Sequence, residues 1–318
     1  MSESTRNPAS WRAVADLPQA RSEVAVAEAG GLVHVVGGTA LVDGEPHWAT
    51  TLVTAYDPSA DRWTERAPLP EPLTHVGLAG LGGRLYAFGG FTGIVHLDPR
   101  RAAYCYDPGR DEWTALPELP AALGSVGVAA VGGKLHVLGG RDSRQVVPLP
   151  GTPLELGLGT TNHHFTYDPE RRTWAQAPPL PGPPRDHAGV VALDGRVHVV
   201  GGRVEDVDRN LDRHDVHDPR TGGWTTAAPL PAPRSAGATT VHSGLIVHAG
   251  GECGQGGSTF DDVHTYDPRT DRWTATTPLP HGRHGFGAAT AAGRAYFVAG
   301  SPTCAGGAGA DALELLLG

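Results

Sequence analysis

Glu23, His75 and His187 are the residues whose types and spacing could do chemistry together. They hold the same place in three copies of an internal repeat. A ring of repeats would therefore bring one carboxylate and two imidazoles to a common axis. Such a set can ligate a divalent ion, iron or zinc, or it can move protons. One place earlier in the repeat stand Asp186 and His284, which would orient the ligands or act as acid and base. Strand geometry limits this reading, because consecutive strand residues point opposite ways. Both rows share the axis only if the chain is still turning there. Otherwise these side chains sit between repeats and bond to backbone.

The elements that must position them are legible in the repeat. Tryptophans fall at Trp11, Trp63, Trp113, Trp174, Trp224 and Trp273. Each is followed by a Leu-Pro pair, at Leu17, Leu69, Leu119, Leu180, Leu230 and Leu279. Glycine pairs lie at Gly37-Gly38, Gly89-Gly90, Gly139-Gly140, Gly201-Gly202 and Gly250-Gly251, with Gly300-Ser301 as a degraded sixth. Ahead of five tryptophans sit Tyr56, Tyr106, Tyr167, His217 and Tyr266, all continuing as Asp-Pro. Between these marks run four short apolar stretches, in the second repeat 74–81, 84–88, 103–106 and 113–116. Short connections make neighbouring stretches pair antiparallel. The 45 glycines and 28 prolines of the 318 residues are then turn residues, without the regular period of collagen. One four-stranded sheet cannot bury its own two faces, whereas a ring of six covers them all.

Di-glycine, then tyrosine, then tryptophan resembles the kelch repeat, over nearly the whole chain. The resemblance implies an all-β fold, a six-bladed β-propeller with one blade per repeat. Blades would start near 21, 73, 123, 185, 234 and 283, after an N-terminal tail of 1–10. Residues 11–17 would complete blade 6 and close the ring, giving one domain over 11–318. The loops after the glycine pairs and after the Leu-Pro pairs then surround one mouth of the central channel. In kelch modules the pocket is lined by the residue after a repeated arginine and by the residue after the di-glycine. Carried onto this sequence, that picks Ser22, Thr74, Asp186, Ser235 and His284, with Phe91, Arg141, Arg203 and Glu252 above them. The repeated arginine itself (Arg21, Arg185, Arg234 and Arg283) reads as structural, since it recurs in four of six repeats. Histidines His34, His136, His198 and His217 replace repeat tyrosines and read as core, as do His164 and His214 at strand starts. The third mouth loop, 142–162, is the longest and is apolar enough to be a lid, a partner site or a loop packed on its neighbour. Trp48 in the first loop either stacks on a ligand or caps its own loop. Cys253 and Cys304 fall in adjacent mouth loops and are a thiol pair, a ligand pair or unrelated.

Bulk properties exclude some functions. The net charge of -9 and the lack of a basic run disfavour nucleic acid. No apolar stretch approaches a membrane span, and the N-terminus lacks the apolar core of a signal peptide. With three cysteines, a reducing cytoplasm is the expected location. One lysine against 24 arginines reads as a GC-rich bacterial coding bias. Two functions remain. One is a small-molecule binder at the mouth, its ligand held as an anion by Arg141 and Arg203, with isomerase or lyase chemistry. Stand-alone kelch propellers similar in form include a sialic acid mutarotase and the iron(II)-dependent plant specifier proteins. The other is a non-catalytic module that recognises a protein or peptide partner on the same loop face.

Overall fold

The computed structural model describes residues 9–42, 45–149, 151–253 and 257–317. Most of the expected N-terminal tail and Pro150 of the long third loop lie outside them. Each repeat forms a four-stranded antiparallel sheet. In blade 2 the strands run Gly77–Leu81, Arg84–Phe88, Ala103–Asp107 and Glu112–Ala115, from the channel outward. Six such sheets are present among the described residues. In the sixth, Ser10–Ala13 pairs antiparallel with Ala312–Leu316, placing Trp11 opposite Leu315. The first strand of the chain is therefore the outermost strand of the last sheet.

Repeated residues hold neighbouring blades together. The indole N–H groups of the six repeat tryptophans donate to a backbone carbonyl of the preceding blade's exit segment, at 2.7–3.3 Å. Trp113, for example, reaches Ala67 O and Trp63 reaches Ala15 O. The leucine of each Leu-Pro pair is buried beside it. A second belt lies nearer the axis. Gly38, Gly90, Gly140, Gly202, Gly251 and Gly300 donate to the carbonyls of Leu73, Leu123, Arg185, Arg234, Arg283 and Arg21, at 2.7–3.1 Å. Apolar clusters fill the seams between blades: Ala25 and Ala27 pack with Leu85 and Ala87, and Val33 and Tyr56 with Ala291 and Tyr296.

Two boundaries differ from the sequence expectation. The innermost strands begin about four residues later than the expected blade starts, at Gly77 rather than Leu73 in blade 2. The cause is a residue in left-handed conformation ahead of each strand, described below. The degraded glycine pair of blade 6 is Ala299-Gly300, not Gly300-Ser301. Ala299 and Gly300 have φ of 69° and 94°, matching 64° and 107° at Gly89-Gly90. The residue after the pair in blade 6 is thus Ser301, where the sequence alignment placed Pro302. The repeated arginines are structural as expected. Arg21 is fully buried and donates to Gly37 O, Leu52 O and Thr54 Oγ1, while Arg185, Arg234 and Arg283 pair with Asp215, Asp262 and Asp311.

Candidate functional site

Glu23, His75, Ser125, His187, Ala236 and Gly285 occupy one position in the six blades, and all six have φ between 51° and 60°. This left-handed kink settles the alternation problem. The chain is still turning at this position, so neighbouring rows can both be directed inward. Backbone bonds link much of the row around the axis: His75 N to Glu23 O, Ser125 N to His75 O, Ala236 N to His187 O and Gly285 N to Ala236 O, at 2.9–3.1 Å. Just outside it, the residue before the kink pairs by backbone with the residue after the glycine pair of its own blade. The pairs are Ser22 with Thr39, Thr74 with Phe91, Gly124 with Arg141, Asp186 with Arg203, Ser235 with Glu252 and His284 with Ser301. Three rows of side chains therefore surround the axis.

A cavity of about 120 Å³ lies on that axis. Glu23, His75, Ser125 and His187 provide its polar wall, and Val24, Val76, Val126 and Phe286 its apolar wall. Behind the polar wall runs a continuous buried network. Glu23 bridges His75 Nε2 at 3.1 Å and His284 Nε2 at 3.3 Å. His284 Nε2 also lies 3.7 Å from Glu252, whose carboxylate is ion-paired with Arg203. Arg203 reaches His187 Nε2 at 3.3 Å and Asp186 Oδ1 at 3.6 Å. Asp186 Oδ1 lies 3.0 Å from His187 Nδ1, and Asp186 Oδ2 accepts from Arg141 Nε at 2.6 Å. His75, Glu23, His187, Asp186 and His284, expected to act together, are brought together.

The electrostatics follow from burial and partners. Burial opposes ionisation of Glu23, but attraction to His75 and hydrogen bonds from His284 and His75 overcome it and hold the carboxyl well below its usual range. Burial likewise opposes a charge on Asp186, yet His187, Arg141 and Arg203 keep it far below the ordinary aspartate value. Burial and the Arg203 charge push His187 down to about 4, against the pull of Asp186, so its ring is neutral near pH 7. Burial also lowers His284, but the bonds to Glu23 and the attraction of Glu252 prevail and raise it. The wall thus presents a fixed carboxylate from blade 1 and a neutral imidazole from blade 4 to the same cavity.

The expected pocket row is placed differently from the mouth reading. Arg141 is fully buried and Arg203 nearly so. Arg141 is committed to Asp186 and Arg203 to Glu252, and Arg141 also donates to Gly157 O and Glu205 O. They organise the site from behind, against His187 Nε2 and His96 Nδ1 at 3.3 Å, and among the described residues no arginine lines the cavity. Phe91 is fully buried against the ring of His75. Ser22 donates to Gly307 O and the Thr74 hydroxyl lies 3.0 Å from His75 Nδ1. Ser235 is buried and its hydroxyl has no hydrogen-bond partner among the described residues.

His96 and Ser125 escaped the sequence reading. Ser125 shares the kink row, so the alignment already contained its signal. His96 sits in the blade 2 mouth loop, outside any repeat position, and only the folded chain brings its ring 4.9 Å from His75 and 5.2 Å from His187. One ring nitrogen from each of these three histidines lies within 4.8 Å of the others, a possible metal-ligand set. The expected set had Glu23 in place of His96. The long third loop is a hairpin, Arg141–Pro148 with Glu155–Thr160. It is fastened over the blade 2 loop by Gly157 N to Val95 O and by Ser143 Oγ to His96 O. Glu205 of blade 4 accepts from its Gly159 and Thr160 amides.

A second histidine trio, His136, His164 and His217, lies in the seam of blades 3 and 4 and is wholly buried. Four of its six ring nitrogens are already paired. His164 Nδ1 donates to Pro178 O, so its Nε2 accepts from His136 Nδ1, and His217 Nδ1 donates to Gly223 O. These are core histidines, as their places in the repeat suggested. Cys253 and Cys304 form a disulfide between the mouth loops of blades 5 and 6. Such bonds persist most readily in oxidising compartments. Among the described residues no helix is long and apolar enough to cross a membrane.

Comparison with known proteins agrees with this architecture. Residues 124–300 match the family model described as the KLHDC2/KLHL20/DRC7 Kelch-repeats domain, and residues 72–120 match the Kelch motif. The chain belongs to the kelch-repeat family, whose propellers are binding modules for ligands or proteins. Kelch-like protein 35 of Homo sapiens is 39% identical over 194 residues, which are 61% of this chain and 28% of that protein. Kelch-like protein terF of Aspergillus terreus is 28% identical over 188 residues, 58% of this chain and 39% of that protein. The matched part thus spans well under half of these relatives. The solved structure described as "Structure of YjhT" superposes with a TM-score of 0.76 at 18% identity, covering 94% of this chain and 95% of that one. At that identity the likeness concerns the fold alone.

Proposed function

We propose that this propeller binds a small polar molecule in its axial cavity and transfers a proton on it, in an isomerase- or lyase-type reaction. The observation that carries the reading is the convergence of Glu23, His75, Ser125 and His187 on one cavity. A buried carboxylate held ionised and a neutral imidazole on the wall of one cavity are the pair of groups proton transfer needs. Glu23 is the base and His187 the acid–base partner. His75 and His284 hold the Glu23 carboxylate in place, and Asp186 sets the tautomer of His187. With Arg141 and Arg203 committed to carboxylates, the ligand is recognised through hydrogen bonds rather than as an anion gripped by guanidinium.

The test is a panel of free sugars, sugar acids and 2-oxo acids, incubated with metal-free protein and followed by exchange NMR. Interconversion of one panel member should be accelerated, and Glu23→Gln should cut the rate about 100-fold or more while leaving the fold intact. Acceleration undiminished in Glu23→Gln, or no binding to any panel member, would sink the reading. One observation favours recognition of a protein or peptide instead. Leu41, Trp48 and Val146 stand 41–48% exposed on the loop face. Trp48→Ala would then abolish capture of a partner while leaving small-molecule binding untouched.

A further inference from the structure

We propose that His75, His96 and His187 are the ligands of a divalent late first-row metal ion, zinc or iron(II), whose open coordination position faces the axial cavity. The inference rests on that cavity being the working site, and an ion on His187 Nε2 would replace the acid–base role of that ring rather than add to it.

Four observations carry it. The three rings meet edge to face, with interplanar angles of 75–80° and centroids 4.9–5.2 Å apart, and one nitrogen of each lies within 4.8 Å of the others. Imidazole–zinc bonds of about 2.0–2.1 Å need only a modest contraction of that triangle. Two of the rings are backed by carboxylates. His187 Nδ1 faces Asp186 Oδ1 and His75 Nε2 faces Glu23 Oε2. Metal-bound histidines characteristically donate their other N–H to a carboxylate, and these two nitrogens lie 3.0 and 3.1 Å from one, short of aligned hydrogen-bond geometry. That leaves His187 Nε2 and His75 Nδ1 for the ion and makes Glu23 an orienting group rather than a ligand. Carboxylates also stand close behind the rings: Glu23 contacts His75 and His284, Glu252 pairs with Arg203, and Asp186 faces Arg141, Arg203 and His187. A buried dication needs such carboxylates near it.

The fourth observation is strain. Val95, His96 and Asp98 have φ of 51°, 64° and 54°. Left-handed φ at a β-branched residue such as Val95 is a genuine outlier, and each such non-glycine residue costs on the order of 1–3 kcal/mol. Here it turns His96 inward, with the loop pinned by the blade 3 hairpin through Ser143 and Gly157. The seam trio His136, His164 and His217 has no comparable strain, and none of its members lines the cavity as His75 and His187 do. To admit the ion, Arg203 gives up its 3.3 Å contact with His187 Nε2 and keeps Glu252, and the Thr74 hydroxyl turns away from His75 Nδ1, while Arg141, 3.3 Å from His96 Nδ1, keeps Asp186 and yields that nitrogen if it is the ligand atom.

The experiment strips the full chain with chelator and titrates it with cobalt(II), then displaces cobalt with zinc. One ion per chain should bind with the intense visible absorption of low-coordinate cobalt. His96→Ala should abolish equimolar binding. His96→Cys should keep it and add a thiolate-to-cobalt charge-transfer band, a readout that loss of folding cannot imitate. Glu23→Gln should retain one ion but weaken it about 10–100-fold. The proposal is overturned if the stripped, folded protein takes up no equimolar ion. It is equally overturned if His96→Cys binds cobalt without the thiolate band, or if binding is lost in His164→Phe alone. Panel binding by metal-free protein reports separately on the small-molecule reading, so either can fail without the other.

Discussion

At the residue scale, the axial site is a charge network whose members hold one another's protonation states. Asp186 is the hub: it faces Arg141, Arg203 and His187 from full burial. Asp186→Asn leaves two buried guanidiniums with one carboxylate fewer, and loss of one partner from a buried ion network costs about 3–5 kcal/mol. Urea denaturation should register that loss, and a change under 1 kcal/mol would show that the arginines relax to other acceptors. Glu23 acts on His284 in the opposite sense. Its carboxylate helps to raise His284, so Glu23→Gln should shift the His284 ring titration to lower pH in an NMR titration. An unmoved titration would mean that Glu252 alone sets it.

At the element scale, the glycine pairs decide how closely blades approach. A Cβ on Gly89 would lie 2.2 Å from Leu123 O in the next blade, whereas one on Gly83 would meet nothing within 4 Å. Both have positive φ, so alanine pays a conformational cost of about 1 kcal/mol at each. Only Gly89→Ala also forces two blades apart. Its denaturation midpoint should therefore fall well below that of Gly83→Ala, and equal midpoints would show that the seam yields freely. Blade 6 carries Ala299 at the corresponding place, so that seam has already made room for a methyl group. The Trp indole bonds act at the outer end of the same seams. Trp113→Phe leaves Ala67 O without its donor, at a cost on the order of 1–3 kcal/mol.

At the scale of the whole molecule, the seams make the propeller acid-sensitive. Burial pushes His34, His164, His198 and His214 down to about 4, and His136 and His248 to about 3. Unfolded histidine titrates near 6.5. Between about pH 6.5 and 4 the unfolded chain thus binds protons that the folded chain refuses, and folding stability rises with pH across that window. The stability contribution of the neutral rings is complete above about pH 6.5 and is lost as pH falls toward 4. Denaturation midpoints should drop steeply over that range, and a flat profile between pH 6.5 and 5 would show that the seams admit water. The seams are histidine-rich because His34, His136, His198 and His217 stand where other blades keep tyrosine, such as Tyr86, Tyr296 and Tyr106.

The chain's own residues announced six blades, the seam tryptophans, the structural arginines and the gathering of Glu23, His75, His187, Asp186 and His284 at one axis. These are repeated or slot-aligned features, and a repeat architecture converts linear period directly into angular position. Other features depended on contacts between segments far apart in sequence. The kink row needed φ values, which showed why two adjacent rows both turn inward. Arg141 and Arg203 looked free to hold a ligand until the fold placed Asp186 and Glu252 against them. Cys253 met Cys304 only when blades 5 and 6 lay side by side. His96, outside the repeat, entered the site because the blade 3 hairpin pins a strained loop over the axis. Period is written in the chain, whereas the partner of a loop residue is set by whichever neighbouring blade the closed ring presents to it.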